Sequence, residues 1–149
     1  MLQGYGVILI SHRGNLHGKA SKENNPKRLK EILNQVYNIE VDVWLVKDRL
    51  FLGHDKPEYE VNLKFLQNEK FWCHAKNLAA LEFMLLNNIH CFWHQEDDYT
   101  ITSKGYIWTY PGKPVCKKSI IVCKTLEDTM RYCKMDIAGV CSDYVEKLK

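Results

Sequence analysis

Residues 39–54 read Ile-Glu-Val-Asp-Val-Trp-Leu-Val-Lys-Asp-Arg-Leu-Phe-Leu-Gly-His. Over residues 39–46 the period is two, so a strand there points Glu40, Asp42 and Trp44 to one face and Val41, Val43 and Leu45 to the other. The apolar partners predict a strand inside a sheet, where two neighbouring carboxylates are costly without a cation to offset them. Residues 47–49 make a turn, residues 50–53 a short return strand, and His54 follows.

Working outward, residues 6–11 (GVILIS) form an unbroken, β-branched apolar run, the pattern of a strand buried on both faces. His12, Arg13 and Gly14 stand at its end. Residues 15–25 are polar and read as a loop. Pro26 suits the first turn of a helix, with Leu29, Ile32, Leu33 and Val36 at helical spacing. Further on come a short helix over 61–68, a strand over 71–76, a helix over 78–87 and a strand over 89–95. Strands at 98–102 and 106–110 then follow with almost nothing between them. A strand at 119–123, a helix at 126–132 and a strand at 137–142 close the pattern.

Strand then helix, repeated, implies parallel strands with right-handed crossovers. The strand candidates number about eight, which closes a (β/α)8 barrel. Such barrels usually take about 200 to 250 residues, and this chain has 149. The expected fold class is therefore α/β: a single domain over 1–149, a minimal (β/α)8 TIM-type barrel with several helices shortened or missing in its second half. An open sheet of fewer strands is the structural competitor.

Composition bounds the function. Hydrophobic residues make up 46%, enough for a core, and the net charge of +3 comes without a long basic block, which argues against nucleic acid as a partner. No apolar stretch is long enough to span a membrane, and residues 1–10 lack the layout of a signal peptide, so a cytoplasmic location is expected. The six cysteines include no CxxC pair and mostly sit in apolar runs, where they read as reduced core residues. Lost helices would expose apolar strand faces, so a second copy of the chain is expected to cover them.

In a parallel barrel the site lies at the C-terminal strand ends. His12 and Arg13, Glu40 and Asp42, and His54 all map there. His74 and Lys76 share one strand face, Trp93 and Gln95 share another, and Asp143 follows the last strand. Two carboxylates to hold a divalent cation and two histidines to move protons are the ingredients of metal-assisted phosphodiester cleavage. Plainer readings exist for each: a histidine bonded to backbone, a solvated charge, or aromatic core residues in place of a mouth lined by Trp93, Trp108 and Tyr110.

The motifs His12-Arg13-Gly14, Glu23-Asn24, Glu40-x-Asp42, Lys47-Asp48 and Gly53-His54-Asp55 resemble those of the glycerophosphodiester phosphodiesterase family, relatives of phosphoinositide-cleaving phospholipase C. Residues 138–144 (AGVCSDY) are similar to that family's last strand. The resemblance implies His12 and His54 as general acid and base, Arg13 on a phosphate oxygen, and Lys76 facing the anionic transition state. It implies Glu40 and Asp42 as ligands of Mg2+, Mn2+ or Ca2+, with Glu23 as a further ligand or support. Where the family has Glu-x-Lys on its third strand, this chain has His74-Ala75-Lys76. His74 as third ligand would favour Mn2+ or Zn2+ over Ca2+; otherwise that ligand is lost or comes from Glu96. Gln95, Trp93 and Trp108 are the remaining candidates for substrate contact. The expected activity is hydrolysis of a small glycerophosphodiester-like substrate. The alternatives are a lyase or hydrolase of sugar-phosphate diesters, and a module that binds phosphorylated ligands without turnover.

Overall fold

The computed structural model describes residues 6–148. Ten strands form one mixed sheet: β1 (Ile8–His12), β2 (Asn38–Val46), β3 (Arg49–Leu52), β4 (Tyr59–Val61), β5 (Phe71–Ala75), β6 (Cys91–Phe92), β7 (Tyr99–Ile101), β8 (Ile107–Thr109), β9 (Ser119–Cys123) and β10 (Gly139–Ser142). Helices α1 (Pro26–Leu33), α2 (Leu63–Leu66), α3 (Leu78–Leu86) and α4 (Leu126–Tyr132) and a terminal 3-10 helix (Val145–Leu148) complete the fold. Side-chain caps start the α-helices: Asn25, Asn62, Asn77 and Thr125 each accept a bond from a first-turn N–H. Among the described residues no helix is long and apolar enough to cross a membrane.

Parallel strands run in the order β6-β5-β2-β1-β10-β9-β8. β2 is long enough to pair three neighbours: β1 at its start, β5 along its middle and antiparallel β3 at its end. β4 extends that hairpin, and β7 turns back antiparallel on β8.

The expected (β/α)8 TIM-type barrel is not what forms. The sheet is mixed, ten-stranded and curled into a half-barrel with few, short helices. The physical reason lies between β6 and β9. β6 is only two residues long, and the chain then enters the β7–β8 hairpin instead of a crossover helix. Residues 110–118, with Pro111 and Pro114, reach β9 as an irregular loop. Among the described residues no helix covers this stretch, and Ile101 is left 73% exposed. The two edges of the curl are tied by a loop and a side chain rather than a ladder: Ser103 N–H donates to the Cys91 carbonyl (2.8 Å) and the Thr100 hydroxyl to that of Trp93 (2.8 Å).

Two apolar clusters hold the sheet. α1, α3 and α4 pack on its convex face against Leu9, Val41, Val43, Cys73, Ile121 and Val140. Inside the curl, Ile10, Trp72, Phe92, Trp108, Ile120 and Cys141 from six different strands meet, with Phe92 stacked 4.4 Å from Trp108. All but the exposed Cys116 of the six cysteines are buried, and all are free thiols.

Candidate functional site

Strand periodicity places the site directly above that inner cluster. Register pairs His12 with Glu40, Asp42 with His74, and His74 with Phe92. In a parallel ladder such partners point to the same face, so apolar floor and polar mouth lie on successive inward positions. On β5 the order is Trp72, His74, Lys76; on β9 it is Ile120, Val122, Lys124; on β8 it is Trp108, then Tyr110. The mouth is a cleft of about 390 Å3 whose lining includes His12, Arg13, Glu40, His54, His74 and Lys76.

The β1 end is fixed by backbone. Arg13 takes a positive φ of 59°, and its N–H donates to the Glu40 carbonyl (2.9 Å). Gly14 has φ 89°, and a Cβ there would sit 2.9 Å from Leu29. His12 Nδ1 meets Asp143 Oδ1 at 2.9 Å, while its Nε2 faces Glu40 Oε1 at 3.9 Å. Asn15 donates to both Asp143 (2.9 Å) and Glu23 (2.7 Å), holding the two carboxylates in place.

Glu40 and Asp42 are buried, and their environments divide them. Asp42 Oδ2 accepts from Asn24 (3.0 Å) and lies 3.1 Å from Arg13 Nε; its Oδ1 lies 3.1 Å from His74 Nδ1. Burial pushes Asp42 up, but His74, Arg13 and Asn24 outweigh it and leave the carboxyl below its ordinary range. Glu40 has only longer-range company, His12 and His74 at 3.9 Å each. Burial first, then the charge of Asp42, raises it, and its Oε1 is fully buried with no hydrogen-bond partner among the described residues. The pair is thus unequally supported, with hydrogen bonds gathered on Asp42 and an orphaned oxygen left on Glu40.

His74 Nε2 donates to the His94 carbonyl at 2.8 Å, which leaves Nδ1 directed at Asp42 and Glu40. A backbone bond of this kind fixes the tautomer of a metal-bound histidine. One donor atom each from Glu40, Asp42 and His74 lies within 4.8 Å of the others. The orphaned Glu40 oxygen and this mixed carboxylate–imidazole set fit a divalent cation, and the single imidazole suits Mn2+ or Zn2+. Burial lowers the His12 and His74 imidazoles, but Asp143 and Glu40 for His12, and Asp42 and Glu40 for His74, more than reverse it and hold both above their ordinary value.

The remaining expectations divide. His54, Lys76, Gln95 and Trp108 line the cleft. His54 is exposed, with Nδ1 on the adjacent Asp55 at 2.9 Å, and its loop is anchored by Trp44, whose indole N–H donates to the Gly53 carbonyl (2.7 Å). Glu23 stands behind Arg13 (3.5 Å), outside the cleft lining, in a supporting position. Trp93 faces away and packs on the convex core, because it alternates with Phe92, which points into the curl. Glu96 is exposed and makes no contact with the carboxylate pair.

Asn15 carries no sequence signal, since an asparagine in a polar loop is an ordinary turn residue, and Asn24 enters only as part of the Glu23-Asn24 motif, with no role attached. His94 also lines the cleft, its Nδ1 bonded to Asp97. Its place one period beyond Phe92 was the only available signal. Neither a family model, nor a curated protein, nor a solved structure matches this chain.

Proposed function

We propose that the chain is a metal-dependent phosphodiesterase acting on a small, glycerophosphodiester-like substrate. The observation that carries the reading is the meeting, in one cleft, of the His12–Asp143 pair with Arg13 and an under-compensated carboxylate pair. A divalent cation held by Glu40, Asp42 and His74 would supply charge stabilisation at a non-bridging phosphate oxygen. Arg13, beside Asp42, presents further donors to the phosphate. Lys76 faces the same space and offsets negative charge that grows in the transition state. Asp143 orients His12 and stabilises its imidazolium, so that Nε2 gives or takes a proton at the reacting oxygen. His54, from the far side of the mouth, serves the second proton transfer. No role here needs nucleic acid, and a second copy of the chain over the uncovered edge around Ile101 belongs to the same proposal.

One observation favours a second reading, a module that binds phosphorylated ligands without turnover. His54 is held only by its exposed neighbour Asp55, unlike His12. Hydrolysis of glycerophosphocholine, glycerophosphoglycerol and an aryl phosphodiester across Mg2+, Mn2+, Ca2+ and Zn2+ decides between the two. The expected result is turnover strongest with Mn2+ or Zn2+, abolished by EDTA and lowered at least about a hundredfold in His12→Ala. Folded protein that hydrolyses none of them with any ion would overturn the enzymatic reading.

A further inference from the structure

The cleft has a second wall to which the proposed reaction gives almost no task. Tyr110, Pro111, Val122 and Lys124, from the ends of β8 and β9, face the space opposite the carboxylates. Lys124 places its ammonium 5.4 Å from the centre of the Tyr110 ring. Among the described residues it has no carboxylate partner, and neither has Lys76. The ring face of Tyr110, which could otherwise attract a quaternary ammonium group, is thus already occupied by a cation.

The register sets the spacing. β1 and β9 are separated only by β10, with Ser11, Ser142 and Cys123 aligned across the three strands. Arg13 lies two residues beyond Ser11 and Lys124 one beyond Cys123, so their backbones stand two strand spacings, about 10 Å, apart across the sheet and one residue apart along it. That gap suits two anionic groups joined by a short carbon chain, one at Arg13 and the other at Lys124.

We infer that the Tyr110–Lys124 wall is a subsite for a second anionic group on the substrate: the site takes a phosphodiester whose alcohol arm carries its own phosphate or carboxylate, and rejects arms ending in a quaternary ammonium. The inference rests on the phosphodiesterase reading for its substrate, but its test does not need turnover. Titration calorimetry in EDTA compares glycerol phosphate, the terminal bisphosphate of propanediol, and phosphocholine. The bisphosphate is expected to bind about tenfold tighter than glycerol phosphate, and phosphocholine more weakly than either. Lys124→Glu, and more mildly Lys124→Met, should remove the bisphosphate advantage. Lys117→Glu makes the same charge change at the opposite end of β9 and should keep it. Equal binding of mono- and bisphosphate, or an advantage that survives Lys124→Glu, would overturn the subsite. Turnover of the diester that joins glycerol to glycerol phosphate through one phosphate, whose arm carries its own phosphate, is scored separately with Mn2+ and Zn2+. Its presence without a bisphosphate advantage refutes the subsite alone; its absence beside a clear advantage refutes the enzymatic reading alone.

Discussion

The strand ends of β1, β2 and β5 and those of β6, β8 and β9 build opposite halves of one cleft by different physics. On the first side a charge network surrounds the one orphaned Glu40 oxygen: Arg13, Asn24 and His74 converge on Asp42, and Asn15 and Asp143 steady His12. On the second side an aromatic floor, Phe92 on Trp108, lies beneath side chains that are exposed or held by one neighbour. Charge networks in a buried place are stiff because every broken partner strands another. An apolar floor tolerates variation above it. The first side is therefore suited to fixed chemistry and the second to choice of substrate.

The sharpest way to break this contrast is Asp42→Ala. It takes from Arg13 and His74 their nearest carboxylate in a nearly dry site, leaving each only a longer contact, to Glu23 and Glu40. The expected loss is about 3–5 kcal/mol of stability, read as a fall in the urea midpoint at unchanged slope. Lys124→Met on the other side should move the midpoint by less than about 0.5 kcal/mol, since Lys124 is exposed and unpaired. Equal effects at the two positions would remove the distinction between the walls.

A second, smaller effect tests the base of the second side. His90 is buried, shares one hydrogen bond with the Thr102 hydroxyl (2.7 Å) and packs against Trp72 with the rings tilted by 51°. Burial, aided by the charge of Lys104, lowers it from 6.5 to about 4. The folded state therefore refuses a proton that the unfolded chain accepts between those values. Its contribution is fully present above the unfolded pKa and fades as pH falls towards the folded one. Between pH 7 and pH 5 this group alone should cost about 2 kcal/mol. His12 and His74 shift the other way, so the readout is the difference in slope between wild type and His90→Gln, which should lack this loss. Parallel slopes in the two proteins would show that His90 takes up its proton in the folded state.

The same contrast governs what the sequence made legible. β2 carries eight alternating residues, and its length and β-branched content specify a buried strand with Glu40 and Asp42 together. His74 and Lys76 follow by the same rule. Residues 89–95 are as apolar as a strand, yet only two of them pair; alternation carries Trp93 outward and His94 inward, and Gln95, past the strand end, leaves the period and lines the cleft. Counting strands also carries no direction. The β7–β8 hairpin and the parallel strands produce similar short apolar runs, so eight candidates suggested a closed α/β barrel where a mixed sheet forms. Asp143 was visible as a residue after the last strand, but its bond to His12 joins positions 131 apart and leaves no local trace. Asn24 stood in the Glu23-Asn24 motif, but its task did not show there: a positive φ of 65° turns its amide onto Asp42.

The smallest stability effect is expected at the histidine that the proposed mechanism needs second most. His54 and Asp55 are neighbours in sequence on an exposed turn, and their bond constrains only each other. Removing it frees rotamers that solvent already reaches, so His54→Ala should change stability by less than about 0.5 kcal/mol. What holds this side chain at the mouth is the backbone beneath it. Gly53 approaches so closely that a Cβ would sit 2.0 Å from the Lys56 carbonyl, and Trp44 clamps the Gly53 carbonyl from β2. Activity should therefore fall in His54→Ala by about a hundredfold or more with the midpoint intact, and Trp44→Phe should weaken activity by releasing the loop. If His54→Ala lowers neither stability nor turnover, the second proton transfer belongs to another cleft residue, and His94, with its Nδ1 on Asp97, is the imidazole placed to take it.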